Sequence, residues 1–318
     1  MRAAIRTSGT IGFSDSVAKP SPKAGQLLVR IMAAAINPVD YKLPKLIAGE
    51  VPGIDFSGIV EAIGPEVVGF SKGDEVFGFA TGSVAEYAAC SAAKVAMKPS
   101  GLDWKSAACL PTAYVTSYQS LKQHGRMQPG HRVLVFGASG GCGSAACQLA
   151  KAIGATEVVG VCSAANSALV LANGATRVVD YRDAAAYEAL LSSAEGSFDV
   201  VYDCASGSGA GEDYSRDAAR VVKPGGGTVV AINGGITSWL KLLFKLQSDS
   251  RKLMITRQNG EDLREIVSLL GGSPRPVVDS IHPLSAEGVN AAFGRLKSRR
   301  AKGKLVIDVG AVCDSGSG

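Results

Sequence analysis

The sequence predicts a two-part α/β protein in which a doubly wound parallel sheet is joined to a β-rich module. Three observations lead there. At 318 residues the chain exceeds the length at which one hydrophobic core usually stops growing. Before Leu110, short β-like runs are separated by Gly and Pro, whereas beyond it strands and helices alternate. With 46% apolar and 19% charged residues, the chain can bury a large core and does not have the composition of a disordered protein.

In the first part, residues 1–5, 26–32, 55–63 and 74–79 read as strands. In the second, residues 132–136, 157–162, 177–181, 198–204, 227–233 and 251–256 read as short apolar strands, with helical patterns such as 145–153 and 213–222 between them. Six strands joined by crossovers make a doubly wound parallel sheet. Past Asn259 come a helix over 261–270, a Pro-punctuated strand over 276–281, a helix over 285–297 and a strand over 304–309. That tail is too short for a core of its own, so it is expected to return and complete the first module. The expected boundaries are 1–114 with 258–318 for the β-rich domain and 115–257 for the parallel-sheet domain.

Several classes of function are disfavoured. No run reaches the ~18 consecutive apolar residues of a membrane-spanning helix. The net charge of +5 is spread along the chain, so a dedicated nucleic-acid surface has no support. The basic run from Lys297 to Lys302 ends a helix, where cations complement the dipole. The N-terminus lacks the pattern of a secretion signal and reads directly as a strand. Seven cysteines, at 90, 109, 142, 147, 162, 204 and 313, show no C-x-x-C spacing. They are expected to be reduced thiols, which points to a cytoplasmic protein. The amphipathic stretch from Ile236 to Phe244 reads as a pocket wall, a subunit interface or a membrane-surface contact.

The strongest chemical signal runs from Val133 to Lys151, where a buried strand enters a glycine-rich turn and then an Ala-rich helix. Ala138, Gly140 and Gly143 occupy the three places of the G-x-G-x-x-G fingerprint. Gly140 lets the backbone approach a pyrophosphate, Gly143 lets helix and strand pack closely, and the helix N-terminus offers N–H groups to the anion. A site for NAD expects an acid about 20 residues further on, to hold the ribose 2′-hydroxyl. Here the second strand ends in Val161-Cys162-Ser163-Ala164-Ala165-Asn166. Without the carboxylate nothing repels a 2′-phosphate, and Ser163 can donate to it. A plain helix cap at Ser163 is compatible with the same residues.

The ordered landmarks Asn37-Pro-Val-Asp-Tyr-Lys42, Pro52-Gly-Ile-Asp-Phe-Ser-Gly58, Gly73-Asp74, Ala85-Glu86-Tyr87, Leu110-Pro-Thr-Ala-Tyr-Val-Thr116, Gly137 to Gly143, Asp180-Tyr181 and Gly303-Lys304 resemble the medium-chain dehydrogenase/reductase superfamily. The likeness is to its zinc-free quinone oxidoreductase branch, which includes zeta-crystallin-like proteins. It implies a GroES-like β-rich catalytic domain with a Rossmann domain, an active site in the cleft between them, and a homodimer. Zinc-dependent members carry a Cys near the position of Asp40 and Gly-His-Glu where this chain has Gly53-Ile54-Asp55, so no metal is expected.

The resemblance further implies NADPH as cofactor, with Thr116, Ala138, Ser139, Gly140, Gly141, Cys142, Gly143, Ser163, Tyr181, Asn233 and Lys304 around it. Branch members that use NADPH usually add a Lys or Arg after Ser163, where Ala165 and Ser167 stand here. Asn37, Asp40, Tyr41 and Lys42 are the expected catalytic residues. Asn37 and Tyr41 are expected to donate hydrogen bonds to a carbonyl or quinone oxygen, Lys42 to stabilise the anion formed, and Asp40 to orient Lys42. The same residues also read as a turn at Asn37-Pro38, a core residue at Tyr41 and a surface or interdomain ion pair between Asp40 and Lys42. The expected activity is hydride transfer from NADPH to a quinone or to the double bond of an α,β-unsaturated carbonyl. A non-catalytic NADPH-binding protein is the alternative.

Overall fold

The computed structural model describes residues 1–7, 10–43, 45–207, 212–234, 248 and 250–310. They form two compact units, Met1–Ala113 with Gln258–Gly318, and Tyr114–Arg257. The first unit contains strands β1 (Ala3–Arg6), β2 (Ile11–Ser14), β3 (Gln26–Ile36), β4 (Asp55–Ile63), β5 (Glu75–Phe79), β6 (Tyr87–Ser91) and β7 (Val95–Met97). The second contains β8 (Arg132–Phe136), β9 (Glu157–Cys162), β10 (Arg177–Asp180), β11 (Val200–Asp203), β12 (Thr228–Ala231) and β13 (Arg251–Leu253). The chain then adds β14 (Val278–Pro283) and β15 (Lys304–Asp308) to the first unit's sheet, whose order is β14-β15-β3-β4-β5-β7, with β6 also paired to β3.

Strand β3 organises this sheet. From its sequence it should stop at Met32, because Ala33, Ala34 and Ala35 have weak strand preference. It continues to Ile36, and all three alanines are fully buried. The cause is tertiary. This end of β3 is paired on one side with β4 (Ala35 opposite Asp55) and on the other with β15 (Ile36 opposite Leu305). Ala33 and Ala35 also pack with Ala108, Cys109 and Val306.

The second unit is a six-stranded sheet in the order β10-β9-β8-β11-β12-β13, every pair parallel. Helices Ala184–Ser193 and Ser215–Val221 bury Leu190, Leu191, Ala218 and Val221 against Leu134, Phe136, Val159 and Val201 of the strands. The strand order reverses between β8 and β11, so the crevice used by ligands in such sheets opens at their carboxyl ends. The predicted doubly wound parallel sheet beside a β-rich domain is the observed architecture.

Several strands end earlier than their composition suggests. Tyr181, Cys204, Asn233 and residues 254–256 lie beyond the last paired positions, at the carboxyl edge of the sheet. Met254 still donates to the Ala231 carbonyl at 3.0 Å, but Ile255 is 63% exposed. Apolar composition alone does not make a strand where no neighbour remains to pair. The stretch from Ile236 to Phe244 lies outside the described residues. Among the described residues no helix is long and apolar enough to cross a membrane.

The turn after β8 depends on contact that only glycine allows. A Cβ on Gly143 would lie 2.2 Å from the Gly137 carbonyl oxygen and 2.6 Å from Ala138 Cα. Both obstacles are backbone, so a Gly143→Ala substitution should destabilise the protein by about 1–3 kcal/mol. Thermal denaturation checks this, and an unchanged midpoint would show that helix and strand have room to separate.

Candidate functional site

In the second unit, Gly137 (φ +78°) turns the chain out of β8, and its N–H and that of Ala138 both donate to the Val161 carbonyl at 3.1 Å. The turn is thereby tied to the end of β9. Helix Gly141–Ile153 begins at once, with Gly140 as its N-cap. In its first turn, the amides of Gly141 and Gly143 have no acceptor within the helix and suit an anion. A Cβ on Gly140 would meet only the Gly137 oxygen, at 3.5 Å, so the bare backbone leaves a space that a pyrophosphate can use. The Ser117 hydroxyl holds the helix start through the Cys142 carbonyl at 2.7 Å. These residues fit a dinucleotide.

Next to the turn, Ser163 follows β9, and β10 lies alongside with Asp180 opposite Cys162. That register brings Tyr181 level with Ser163, and the Tyr181 N–H lies 3.4 Å from the Cys162 carbonyl. Tyr181 is 44% exposed, and the Arg182 guanidinium stands 5.5 Å from the centre of its ring. Ser163 does not cap the short 3-10 turn Ala164–Asn166 with its side chain. Its hydroxyl instead accepts from Asn166 Nδ2 at 3.2 Å, and so does the Ser139 hydroxyl. Asn233 lies beyond β12, its Cβ 3.3 Å from where a Cβ on Gly207 would be. The buried Thr116 hydroxyl pairs with that of Thr256 at 2.6 Å.

The first unit holds a buried charged cluster created by the β15-β3-β4 register. Asn37 follows the end of β3 and lies between the first residues of its two neighbours, Asp55 and Lys304. The Lys304 ammonium donates to Asp55 Oδ2 at 3.0 Å, to the Ile36 carbonyl at 3.3 Å and to Asn37 Oδ1. Asn37 Nδ2 donates to Asp55 Oδ2 at 2.9 Å and approaches the Ala35 carbonyl at 3.5 Å. The other oxygen of Asp55 accepts from the Thr112 amide at 3.1 Å and from the Thr112 hydroxyl. Burial lowers the Lys304 pKa, but Asp55, Cys109 and Asp40 outweigh it, so the ammonium stays charged with its pKa above the ordinary lysine value.

Asn37 also starts helix Pro38–Lys42, with Pro38 at the favoured first position. Asp40 reaches back so that its Oδ2 accepts the Asn37 N–H at 2.7 Å, which closes the helix start. Asp40 is 1% exposed and its Oδ1 has no partner among the described residues. Burial raises its pKa to about 7, with Asp55 adding to the rise, while the Asn37 N–H bond, Lys304 and Arg6 oppose it. The Arg6 guanidinium braces the same helix through the Asp40 carbonyl at 2.9 Å and holds the carbonyls of Gly49 and Val51.

The expected catalytic residues therefore divide. Asn37 and Asp40 join Lys304 and Asp55 inside the cluster, whereas Lys42 is exposed and Tyr41 half-buried at the far end of the helix. Asp40 faces inward and does not orient Lys42. The Lys42 pKa is lowered by partial burial and by Arg299, and the Lys297 ammonium lies 5.6 Å from the Tyr41 ring centre. Lys304, expected among the cofactor residues, has its ammonium engaged by Ile36, Asn37 and Asp55. Asp55 and Asn166 were not singled out from sequence as site residues. Their signals were present, in the place of a zinc-family Glu and in the missing acid after β9, but their partners depend on strand register and a turn.

The residues do not fit zinc. Ile54 stands where a histidine ligand is expected, and Asp55 is engaged by Lys304, Asn37 and Thr112. Among the described residues no three His, Cys, Asp or Glu side chains meet in a way that could hold a metal ion.

Residues 23–100 match the alcohol dehydrogenase GroES-like domain, and residues 173–307 match the family described as zinc-binding dehydrogenase. A 2-methylene-furan-3-one reductase of Solanum lycopersicum is 37% identical over 314 residues, covering 93% of this chain and 74% of the relative. The chain belongs to the medium-chain dehydrogenase/reductase superfamily, in its quinone oxidoreductase branch. An NADPH-dependent alkenal/one oxidoreductase, chloroplastic, of Arabidopsis thaliana is 30% identical over 93% of this chain and 75% of its own length. Among solved structures, the quinone oxidoreductase from Coxiella burnetii superposes with a TM-score of 0.82 at 27% identity, covering 97% of this chain and 99% of that one. This member of the superfamily is an oxidoreductase of the kind that binds a nicotinamide cofactor.

The buried acid makes stability depend on pH. Between an unfolded value of 3.8 and a folded value of about 7, the native chain holds a proton on Asp40 that the unfolded chain has released. The stabilisation tied to that proton is complete below the unfolded value and is lost as pH rises through the folded one. Asp40→Asn keeps an oxygen for the Asn37 N–H and removes the titration. The wild-type melting temperature should therefore fall from pH 5 to pH 8 by several degrees more than that of the variant, and parallel profiles would contradict the assignment.

Proposed function

We propose that this chain is an NADPH-dependent reductase of quinones or of the double bond of α,β-unsaturated carbonyls, acting without zinc. The observation that carries the reading is the glycine turn fitted against β8 beside a β9 terminus that has Ser163 and Asn166 in place of an acid. The names of its relatives, a 2-methylene-furan-3-one reductase, an alkenal/one oxidoreductase and a quinone oxidoreductase, support the substrate class.

When bound, the nicotinamide dinucleotide supplies a hydride. The chain's own residues do the rest. The first amides of helix Gly141–Ile153 hold the pyrophosphate, and Ser163 with Tyr181 faces the adenosine ribose. Reduction of a conjugated carbonyl or quinone collects negative charge on an oxygen, which needs hydrogen-bond donors aimed at it. Asn37 does not fill that role, because its amide nitrogen already points to Asp55 and the Ala35 carbonyl. It acts as the anchor of helix Pro38–Lys42, which carries Tyr41 and Lys42, and these two are the donors. With a pKa lowered by burial and Arg299, Lys42 can also hand a proton to the oxygen more readily than an ordinary lysine. We also assign a homodimer, since β13 has a strand neighbour on one side only among the described residues.

Oxidation of NADPH in the presence of alkenals, cyclic enones, ortho-quinones and para-quinones tests the reading. Turnover of at least one class is expected, and binding of NADPH without turnover of any would favour a non-catalytic dinucleotide-binding protein. Removing one donor of this kind typically costs ~3 kcal/mol, so Lys42→Met should lower kcat on the order of a hundredfold and leave NADPH affinity unchanged. Asn37→Ala should lower kcat and the melting temperature together. Full activity in both Lys42→Met and Tyr41→Phe would remove this helix from the chemistry.

A further inference from the structure

We infer that Asn166 is a positioning residue that sets the preference for a phosphorylated ribose, acting through the hydroxyls of Ser139 and Ser163. The inference rests on the dinucleotide-binding part of the proposed function. No cation follows Ser163 in this chain, where Ala164, Ala165, Asn166 and Ser167 stand. The selectivity therefore needs another source.

The geometry points to the amide. Asn166 Nδ2 lies 3.2 Å from Ser139 Oγ and 3.2 Å from Ser163 Oγ, so its two hydrogens are donated to two different hydroxyl oxygens. One serine belongs to the glycine turn after β8 and the other to the end of β9. The Asn166 backbone N–H donates to the Ser163 carbonyl at 2.9 Å, which fixes the short turn that aims the side chain. Asn166 Oδ1 is buried without a partner among the described residues, so the hydrogen bonds of the amide are those to the two serines.

A hydroxyl that accepts from an amide keeps its own hydrogen for another partner. With Asn166 as donor, both serines turn their hydrogens toward a ligand, and the amide N–H bonds polarise them in that sense. Two outward O–H donors match the acceptor oxygens of a phosphate. They match a ribose hydroxyl less well, since it also needs an acceptor. An aspartate at 166 would reverse the arrangement. Its carboxylate would accept both serine hydrogens and place a negative charge where the phosphate is to bind.

Titration of the full chain with 2′,5′-ADP and with 5′-AMP isolates the effect, because the two differ only in the ribose phosphate. Loss of charge-assisted hydrogen bonds together with the added repulsion should weaken 2′,5′-ADP binding to Asn166→Asp by at least about tenfold. Binding of 5′-AMP should be essentially unchanged. Asn166→Ala, which adds no charge, should weaken 2′,5′-ADP selectively but less, and should have no further effect in a Ser139→Ala/Ser163→Ala background. Equal weakening of both nucleotides, no change in their ratio, or an undiminished effect of Asn166→Ala without the serines would each overturn the inference. These outcomes are separate from the catalytic reading, because nucleotide binding with normal selectivity but no turnover would count against the reductase and leave Asn166 its role.

Discussion

Strand β3 sits between β4 and β15, and the register of those two pairings decides what the first unit can do. Opposing Ala35 to Asp55 and Ile36 to Leu305 leaves Asn37, Asp55 and Lys304 with nowhere to go except against one another, out of water. The Lys304–Asp55 ion pair, at 3.0 Å with side chains 6% and 0% exposed, is the result. Such a pair contributes little net stability, since desolvation of both charges offsets their attraction, yet losing one partner leaves the other uncompensated and typically costs ~3–5 kcal/mol. Its consequence is specificity. A one-residue slip of β3 would strand a buried charge as well as expose the apolar face.

The same cluster fixes the helix that follows. Asn37 is held by its side chain to Lys304 and Asp55 and by its N–H to Asp40, so the helix from Pro38 to Lys42 leaves the sheet in one defined direction. Asp55 is engaged by an ammonium, a carboxamide and the Thr112 amide and hydroxyl. Tyr41 and Lys42, at the other end of the helix, lie outside this set of bonds.

The second unit solves a different problem. It must bring backbone N–H groups close to an anion while keeping the helix that carries them against the sheet. Gly143 permits the close packing, Gly140 leaves the approach open, and the paired bonds from Gly137 and Ala138 to the Val161 carbonyl hold the turn against β9. The link through Asn166 extends that hold to the side chains, so that Ser139 and Ser163 act together although they lie on different turns.

From sequence alone, the alternation of strands and helices, the glycine turn and the missing acid were legible, because each is a local pattern within a few residues. The landmark order was legible too, and it determined the family. What the sequence could not determine was who pairs with whom across long separations. Nothing local says that the alanines at 33–35 extend β3, that Lys304 lies beside Asn37, 267 residues earlier, or that Asp40 turns inward and away from Lys42. Those outcomes follow from strand register and from the rule that a buried charge must find a partner. Both operate only once the chain has folded.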